Sequence, residues 1–301
     1  MSTEAVYGRL PPDVAQAGAG AIQLSPLVVG STAIEALADG SLDRITMLAP
    51  PGTLERRYAL AQALRALKPQ GRLVAAAPKA KGGARLAGEL AALGAEPAVE
   101  SRRHHKICTA RPPADSARLT EALAAGAPRQ EANGLWTQPG VFSWDRLDPG
   151  TAVLLGALPP LSGKGADLGC GLGLISRAVL AKGAVSEIAL IDLDRRAVEL
   201  AGRNVPDPRA RVLWRDLREP QPDLEGLDFV VTNPPFHDGG AEDRALGQAF
   251  IRRAAGMLRK GGALWLVANR HLPYEAELKG AFAKVRLAAE ANGFKVYEAV
   301  R

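Results

Sequence analysis

The chain is poor in cysteine. Its 301 residues include two, Cys108 and Cys170. That number excludes a disulfide framework and fits a reducing cytoplasm, which is the expected location. The two cysteines and the four histidines (His104, His105, His237, His271) show no metal-ligand spacing, so no metal is expected. Long apolar runs are also missing: none approaches the ~20 residues that cross a bilayer. The first residues, Met1-Ser2-Thr3-Glu4-Ala5-Val6-Tyr7, have no charged stretch followed by an apolar one, so neither a signal peptide nor a membrane partner is expected.

What the chain does have is ample core material. Hydrophobic residues make up 47% and charged residues 23%, enough for about two domains at the usual ~100–200 residues each. The net charge of +6 is uneven. Residues 1–130 hold 16 Lys+Arg against 11 Asp+Glu, and residues 131–301 hold 22 against 21. The basic excess therefore lies in the front part. Its densest piece is Ser101-Arg102-Arg103-His104-His105-Lys106, with Lys79, Lys81 and Arg85 upstream. Such a patch suits phosphate neutralisation, and a solvated basic surface is the alternative.

The stretch from Gly126 to Gly134 is polar and broken by Pro and Gly, and it reads as a linker. The expected divisions are a front domain over 1–125, a linker over 126–139 and a catalytic domain over 140–301. After the linker, short apolar segments alternate with helical ones. Helices are expected over Leu174–Lys182, Arg195–Asn204 and about Asp243–Leu258. Strands are expected over 187–191, 211–214, 229–232 and 263–267. That alternation implies βαβ units and a parallel sheet covered on both faces. Asn292-Gly293, between two strand-like runs, signals a type I′ hairpin. The expected fold class is α/β, with a class I methyltransferase sheet, mostly parallel and ending in an antiparallel hairpin. A smaller N-terminal α/β domain precedes it.

That smaller domain reads as a degenerate copy of the larger one. Leu42-Asp43-Arg44-Ile45 before Ala49-Pro50-Pro51-Gly52 matches Leu227-Asp228-Phe229-Val230 before Asn233-Pro234-Pro235-Phe236. Leu67-Lys68-Pro69-Gln70-Gly71 echoes Leu258-Arg259-Lys260-Gly261-Gly262, and His105-Lys106-Ile107-Cys108 echoes Phe294-Lys295-Val296-Tyr297. Chance similarity in an Ala-rich chain is the alternative. In the front copy Ala49 stands for Asn233 and Gly52 for Phe236, and no glycine loop precedes them. The copy is expected to be inactive and to serve as a docking platform.

Two motifs carry chemistry. In Asp167-Leu168-Gly169-Cys170-Gly171-Leu172-Gly173, the glycines Gly169, Gly171 and Gly173 permit close backbone approach of a cofactor, and the next helix offers its N-terminal N–H groups. Asp167 is placed to meet a cationic cofactor amine directly or through water. Asp192, at the next strand end, suits both ribose hydroxyls, and Asp194 is the better helix cap. Asp216 is placed to accept from an adenine amino group, with a surface turn as its alternative. A glycine loop alone also fits a dinucleotide-binding dehydrogenase. The second motif, Asn233-Pro234-Pro235-Phe236, follows an apolar strand. The Asn233 side-chain oxygen and the Pro234 carbonyl can accept the two N–H bonds of a planar amine, and Phe236 offers a stacking face. The target base must then be unpaired or flipped out.

The back part, roughly residues 134–301, resembles small-domain class I methyltransferases of the RsmC/RlmG ribosomal RNA guanine-N2 type. The resemblance rests on Gly140-Val141-Phe142-Ser143 with Leu147-Asp148, on the two motifs above, and on His237-Asp238-Gly239 after Phe236. It also rests on Val267-Ala268-Asn269 with Leu272-Pro273-Tyr274, and on Phe294-Lys295-Val296-Tyr297. Relatives acting on protein glutamine or DNA adenine commonly carry Tyr where Phe236 stands. The resemblance implies S-adenosylmethionine as donor and the exocyclic amine of a guanosine in rRNA, most of all 16S rRNA, as acceptor. It also implies an inactive front domain and places Phe142 near the cofactor's methionine end. His237 reads as a loop or substrate contact rather than a base. The front domain is shorter than in longer relatives. Expected partners are ribosomal RNA or a ribosomal subunit, with 30S favoured; the oligomeric state stays open, with a monomer favoured. Two other readings remain: methylation of a different planar amine or amide, and a non-catalytic RNA-binding assembly factor.

Overall fold

The computed structural model describes residues 3–235, 237–238, 241–242 and 244–301. The chain divides into two compact units. One comprises the residues up to Arg129 with Gln138–Gly140, and the other comprises Gln130–Thr137 with Val141–Arg301.

The first unit runs β1 (Glu4–Tyr7), β2 (Ile22–Gln23), β3 (Leu42–Leu48), α1 (Thr53–Ala66), β4 (Leu67–Pro78), α2 (Ala84–Ala92), β5 (Ala98–Arg102), β6 (His105–Ala110) and α3 (Ala117–Gly126). Its sheet has the order β2-β1-β3-β4-β6-β5. The first four strands are parallel, and β6 and β5 close the sheet antiparallel.

A small ribbon follows, of β7 (Arg129–Gln130) and β8 (Trp136–Thr137). It falls in the stretch read as a linker, and this stretch is fastened. Asn204 Oδ1 accepts from Trp136 N at 2.7 Å, Asn204 Nδ2 donates to Trp136 O at 3.0 Å, and buried Gln138 donates to Gly126 O at 3.1 Å.

The second unit continues with α4 (Pro149–Ala157), β9 (Ser162–Leu168), α5 (Leu174–Lys182), β10 (Ala184–Asp192), α6 (Arg195–Asn204), β11 (Ala210–Trp214) and β12 (Leu227–Thr232). A short pair, β13 (His237–Asp238) and β14 (Ala241–Glu242), comes next. Then follow α7 (Arg244–Met257), β15 (Leu258–Asn269), α8 (Glu275–Ala281), β16 (Lys284–Ala291) and β17 (Phe294–Val300). The seven-stranded sheet has the order β11-β10-β9-β12-β15-β17-β16, parallel except at β17 and β16. Both faces are buried, which is why its strands read as continuous apolar runs. Ala166, Leu168, Val230, Leu264 and Leu266 pack in one core cluster, while Ile188, Leu190, Phe229, Val231, Trp265 and Val267 pack in the other. Local signals set the ends. Asp194 caps α6 by accepting from Arg196 N, and Asn292 and Gly293 both take positive φ, 52° and 80°, in the β16–β17 turn.

The two sheets share one plan. Strands β1, β3, β4, β6 and β5 match β9, β12, β15, β17 and β16 in order and direction. The agreement extends to irregularities. The β3–β4 register shifts between Leu42 and Arg44, and the β12–β15 register shifts between Leu227 and Phe229. A Cβ on Gly71 would stand 3.0 Å from Leu42 O, and one on Gly262 would stand 2.8 Å from Leu227 O. Each glycine permits the same close approach beside the same bulge.

The turns after β3 and β12 differ in what they hold. Pro50 O and Pro51 O already accept from Arg56 Nη1, at 3.0 and 2.7 Å. Arg56 is fully buried, and its other guanidinium nitrogens donate to Glu89 at 2.5 and 2.8 Å. The carbonyls at the front turn thus each accept a bond from the chain itself. Replacing Glu89 with Gln should leave a buried guanidinium donor poorly matched and cost about 2–3 kcal/mol. Urea unfolding checks this; an unchanged midpoint would show the pair contributes nothing net.

Candidate active site

A cavity of about 280 Å³ opens where β9, β10 and β12 end. This is the carboxyl edge of the parallel sheet, where such folds bind ligands. Gly169, Gly171, Asp192, Asp216, Asn233 and Pro234 line it, as does Phe142. Gly173 and Asp167 do not. Phe236 lies outside the described residues, and of His237 only the backbone is described.

The glycine loop is held from the neighbouring strand. Gly169 N and Cys170 N donate to Ile191 O at 2.8 and 3.0 Å. All three glycines have φ in the left-handed region, 72°, 52° and 79°, where a side chain is strained. Gly173 serves packing: a Cβ there would stand 2.8 Å from Val205. Asp192 braces the loop. Its Oδ2 accepts from Gly171 N and its Oδ1 from Asp194 N, both at 2.9 Å. Burial raises its pKa to about 6, against the pull of those N–H groups.

Asp167 also has a structural task. It is fully buried, and its Oδ2 accepts from Ser176 Oγ at 2.7 Å and from Ser176 N at 3.2 Å. Ser176 lies in the first turn of α5, whose cap residue Gly173 has no side chain to offer. Asp167 thus caps that helix from the end of β9. Its Oδ1 is buried without a partner among the described residues, a place where a cationic group or a water would be welcome. Burial raises the Asp167 pKa to about 7, opposed by the Ser176 bonds and aided by the charge of Asp192.

Those two raised values give stability a slope. A folded pKa above the unfolded ~3.9 means that the native state holds its proton more tightly. The contribution is complete below pH ~4 and is lost as pH rises through about 6 to 7. Asp207, Asp223 and Glu275 are drawn to about 2 by arginine, lysine and tyrosine partners, so they titrate below this window. The denaturation midpoint without ligand should therefore fall between pH 5 and 8, and Asp167→Asn should flatten the fall. A midpoint that rises over this range would contradict the assignment.

The Asn233 turn is brought to the loop by Thr232, whose Oγ1 donates to Leu168 O at 2.7 Å. Asn233 Nδ2 donates to Asp148 Oδ2 and to Thr151 Oγ1, both at 2.9 Å. Both amide hydrogens are thereby used, and Oδ1 is left as the acceptor. Pro234 is buried and has no N–H, and it follows directly with its carbonyl. The pair can bind a group that has two N–H bonds.

Around this polar edge the walls are apolar. Leu193, Leu217, Leu246 and Phe250 line the cavity. Asp216 does too, but its carboxylate is forked by Arg218, with Nε at 2.9 Å and Nη2 at 2.8 Å, so an adenine amino group would share it with a guanidinium. Phe142 is 59% exposed although it is aromatic. The next residue, Ser143, holds φ 63°, a conformation that non-glycine residues avoid. Leu217, Phe250, Asp148 and Thr151 lay outside the sequence-based site. The first two read as ordinary core residues. Asp148 could have been read as a helix cap from Asp148-Pro149, though not as the partner of Asn233.

Residues 132–298 match the family model described as methyltransferase small domain. The chain belongs to the methyltransferase small domain family. Within this family it is 31% identical over 274 residues to ribosomal RNA small subunit methyltransferase C of Shewanella pealeana, covering 87% of this chain and 79% of that one. It is 38% identical over 211 residues to the protein of the same name from Hahella chejuensis, covering 67% and 61%. With the Alcanivorax borkumensis protein of that name the identity is 40%, and the match spans 50% of its length. Among solved structures, the T. thermophilus 16S rRNA N2 methyltransferase RsmC, in complex with AdoMet and guanosine, superposes with a TM-score of 0.75. It is 27% identical over 94% of this chain and 77% of that one. The small-domain family thus accounts for the back unit, and the RsmC fold spans both units.

Proposed function

We propose that this protein transfers a methyl group from S-adenosylmethionine to the exocyclic N2 amine of a guanosine in ribosomal RNA, with 16S rRNA of the small subunit as the favoured substrate. The observation that carries this reading is the Asn233 carboxamide. Its amino group is consumed by Asp148 and Thr151, which leaves its oxygen to accept, and both Asn233 and Pro234 line the cavity. An exocyclic amine is a poor nucleophile because its lone pair is shared with the ring. Two acceptors aimed at its N–H bonds draw the nitrogen toward tetrahedral geometry and stabilise the positive charge that develops there. The named relatives act on rRNA, and the T. thermophilus structure holds AdoMet and guanosine.

The residues present suit the donor. Asp192 at the cavity suits ribose hydroxyls, Leu217 and Phe250 suit an adenine ring as apolar walls, and Asp167 Oδ1, which has no hydrogen-bond partner among the described residues, suits the amino acid end through water. When bound, S-adenosylmethionine supplies a methyl group on a sulfonium sulfur and needs no metal. Asn233 and Pro234 hold and polarise the amine, while Phe142 offers a flat face at the cavity. No strong base is required, because the methylated nitrogen gives up its proton readily to water.

The front unit is the docking surface in this reading. Residues 1–130 carry five of the six net positive charges. Its β5–β6 turn presents exposed Arg102, Arg103 and His104, with Arg103 and His104 at φ 45° and 59°. Their acidic neighbours, Glu100 at 3.6 Å from Arg102 and Asp13 at 3.3 Å from Arg103, form surface pairs that phosphates can displace.

The test is direct. Incubate the protein with labelled S-adenosylmethionine and 30S subunits, 50S subunits or naked rRNA, then digest the RNA to nucleosides. Label in N2-methylguanosine is the expected result. No label in methylguanosine from any of the three RNAs would refute the proposal.

A further inference from the structure

A carboxamide is nearly symmetric in shape, and only its partners decide which end faces where. At Asn233 one partner is ambivalent: the Thr151 hydroxyl can donate or accept. The other is not. An Asp148 carboxylate only accepts, and its Oδ2 lies 2.9 Å from Asn233 Nδ2 across 85 residues of sequence. If the amide were turned over, Oδ1 would face that carboxylate as one acceptor against another. The choice of rotamer therefore falls on Asp148.

Asp148 is itself held still. It is the N-cap of α4, and the same Oδ2 accepts from Thr151 N at 2.7 Å. Pro149 follows at the first helical position, where its missing N–H costs nothing. Gly150 then leaves room for the carboxylate. A Cβ there would come within 3.0 Å of Asp148 Oδ2 and within 2.8 Å of the Phe294 ring. Helix cap, proline and glycine together fix one oxygen that serves two donors, one in the helix and one in the catalytic turn.

We infer that Asp148 is a positioning residue for methyl transfer: it sets the Asn233 carboxamide with its oxygen toward the amine to be methylated, and polarises it from behind. The polarisation follows from hydrogen-bond cooperativity, since an amide donating to a carboxylate becomes a better acceptor at its oxygen. This inference rests on the reading of the site as an amine methyltransferase.

Three variants separate its parts. Asp148→Ser keeps a capping hydroxyl but is too short to hold the Asn233 amino group. Asp148→Asn keeps a carbonyl oxygen that can accept both N–H bonds, and loses only the charge. Asp148→Ala removes both. In Asp148→Ser, single-turnover methyl transfer should fall about 10²-fold, while S-adenosylmethionine affinity stays within about threefold. Asp148→Asn should recover a large part of that loss. A wild-type rate in Asp148→Ser overturns the inference, and so does a loss of cofactor affinity matching the loss of rate. The second readout is the Asn233 side-chain ¹⁵N amide pair, assigned by its disappearance in Asn233→Ala. Both protons should be downfield and slow to exchange in the wild-type protein, and shifted and fast in Asp148→Ser. An unchanged pair overturns the inference. This second readout does not depend on the acceptor. If no RNA is methylated, the proposed function fails and the amide resonances still decide the role of Asp148.

Discussion

Replacing Asn233 with alanine is expected to lower methyl transfer by about 10²–10³-fold while S-adenosylmethionine binds within about twofold of the wild type. The asymmetry follows from where Asn233 stands. Its amide nitrogen contacts Asp148 and Thr151 on the protein side, and in the proposed function its oxygen accepts from the amine. The cofactor elements, the glycine loop and Asp192, are tied to one another through Gly171 N and Ile191 O without it. The lost interaction is one that strengthens as the nitrogen becomes cationic, so it is a loss in the transition state and appears in the rate constant. Pro234 still contributes its carbonyl, which keeps the residual rate above background. Asn233→Asp is not a rescue, because it would set a second carboxylate against Asp148 at the distance of a hydrogen bond. The measurement is single-turnover transfer alongside equilibrium cofactor binding. Equal loss of both in Asn233→Ala would show that the residue builds the pocket rather than acting on the amine.

Much of the frame was legible because its signals are local. Helices α5 and α6 span the expected Leu174–Lys182 and Arg195–Asn204, since Gly173 and Asp194 mark their starts. The Asn292-Gly293 pair marks the last hairpin for the same reason. The internal repeat was visible because a sheet edge needs the same device twice, a leucine at a bulge and a glycine pressed against its carbonyl. The apolar pattern starts strand β15 at about 263, yet the strand begins at Leu258, because Leu258 pairs with Leu227 across the register shift and nothing near 258 announces it. At the site, the pattern gave residue types and chain positions but not directions. Asp167 turns under α5 instead of lining the cavity, Asp216 is shared with Arg218, and Asp148 reaches Asn233 from a distant helix. Each of these depends on which side chains the fold brings within 3 Å, and spacing along the chain carries no such information.

The corresponding turns of the two units differ in what holds them. After β3, the carbonyls of Pro50 and Pro51 are occupied by Arg56, which Glu89 holds in place. After β12, the asparagine that precedes the two prolines is braced from outside by Asp148 and Thr151. At the neighbouring strand end, Gln23 Oε1 accepts from Gly8 N at 3.1 Å and from Ser25 N at 2.9 Å, as Asp192 accepts from Gly171 N and Asp194 N. The bracing survives in the front unit without the charge. The loop there is tied down and has no carboxylate to offer a ribose.

That charge underlies the second large effect. Asp192→Ala is expected to weaken S-adenosylmethionine binding by roughly 10²-fold, as two hydrogen bonds to a charged acceptor are worth about 3 kcal/mol or more. S-adenosylhomocysteine should lose affinity by the same factor, because it carries the same ribose and differs only at the sulfur. A loss confined to S-adenosylmethionine would instead place Asp192 at the sulfonium. The pH dependence adds an independent check. With its pKa raised to about 6, Asp192 gains a proton as pH falls through that value, and its oxygens then accept less well. Affinity in the wild-type protein should therefore decline as pH drops from 8 toward 5, and Asp192→Asn, which cannot ionise, should bind weakly with a flatter profile over the range where this group titrates. Isothermal titration at several pH values measures both quantities. A cofactor affinity unchanged in Asp192→Ala would reduce this residue to a brace for Gly171 and Asp194, and would move ribose recognition elsewhere in the cavity.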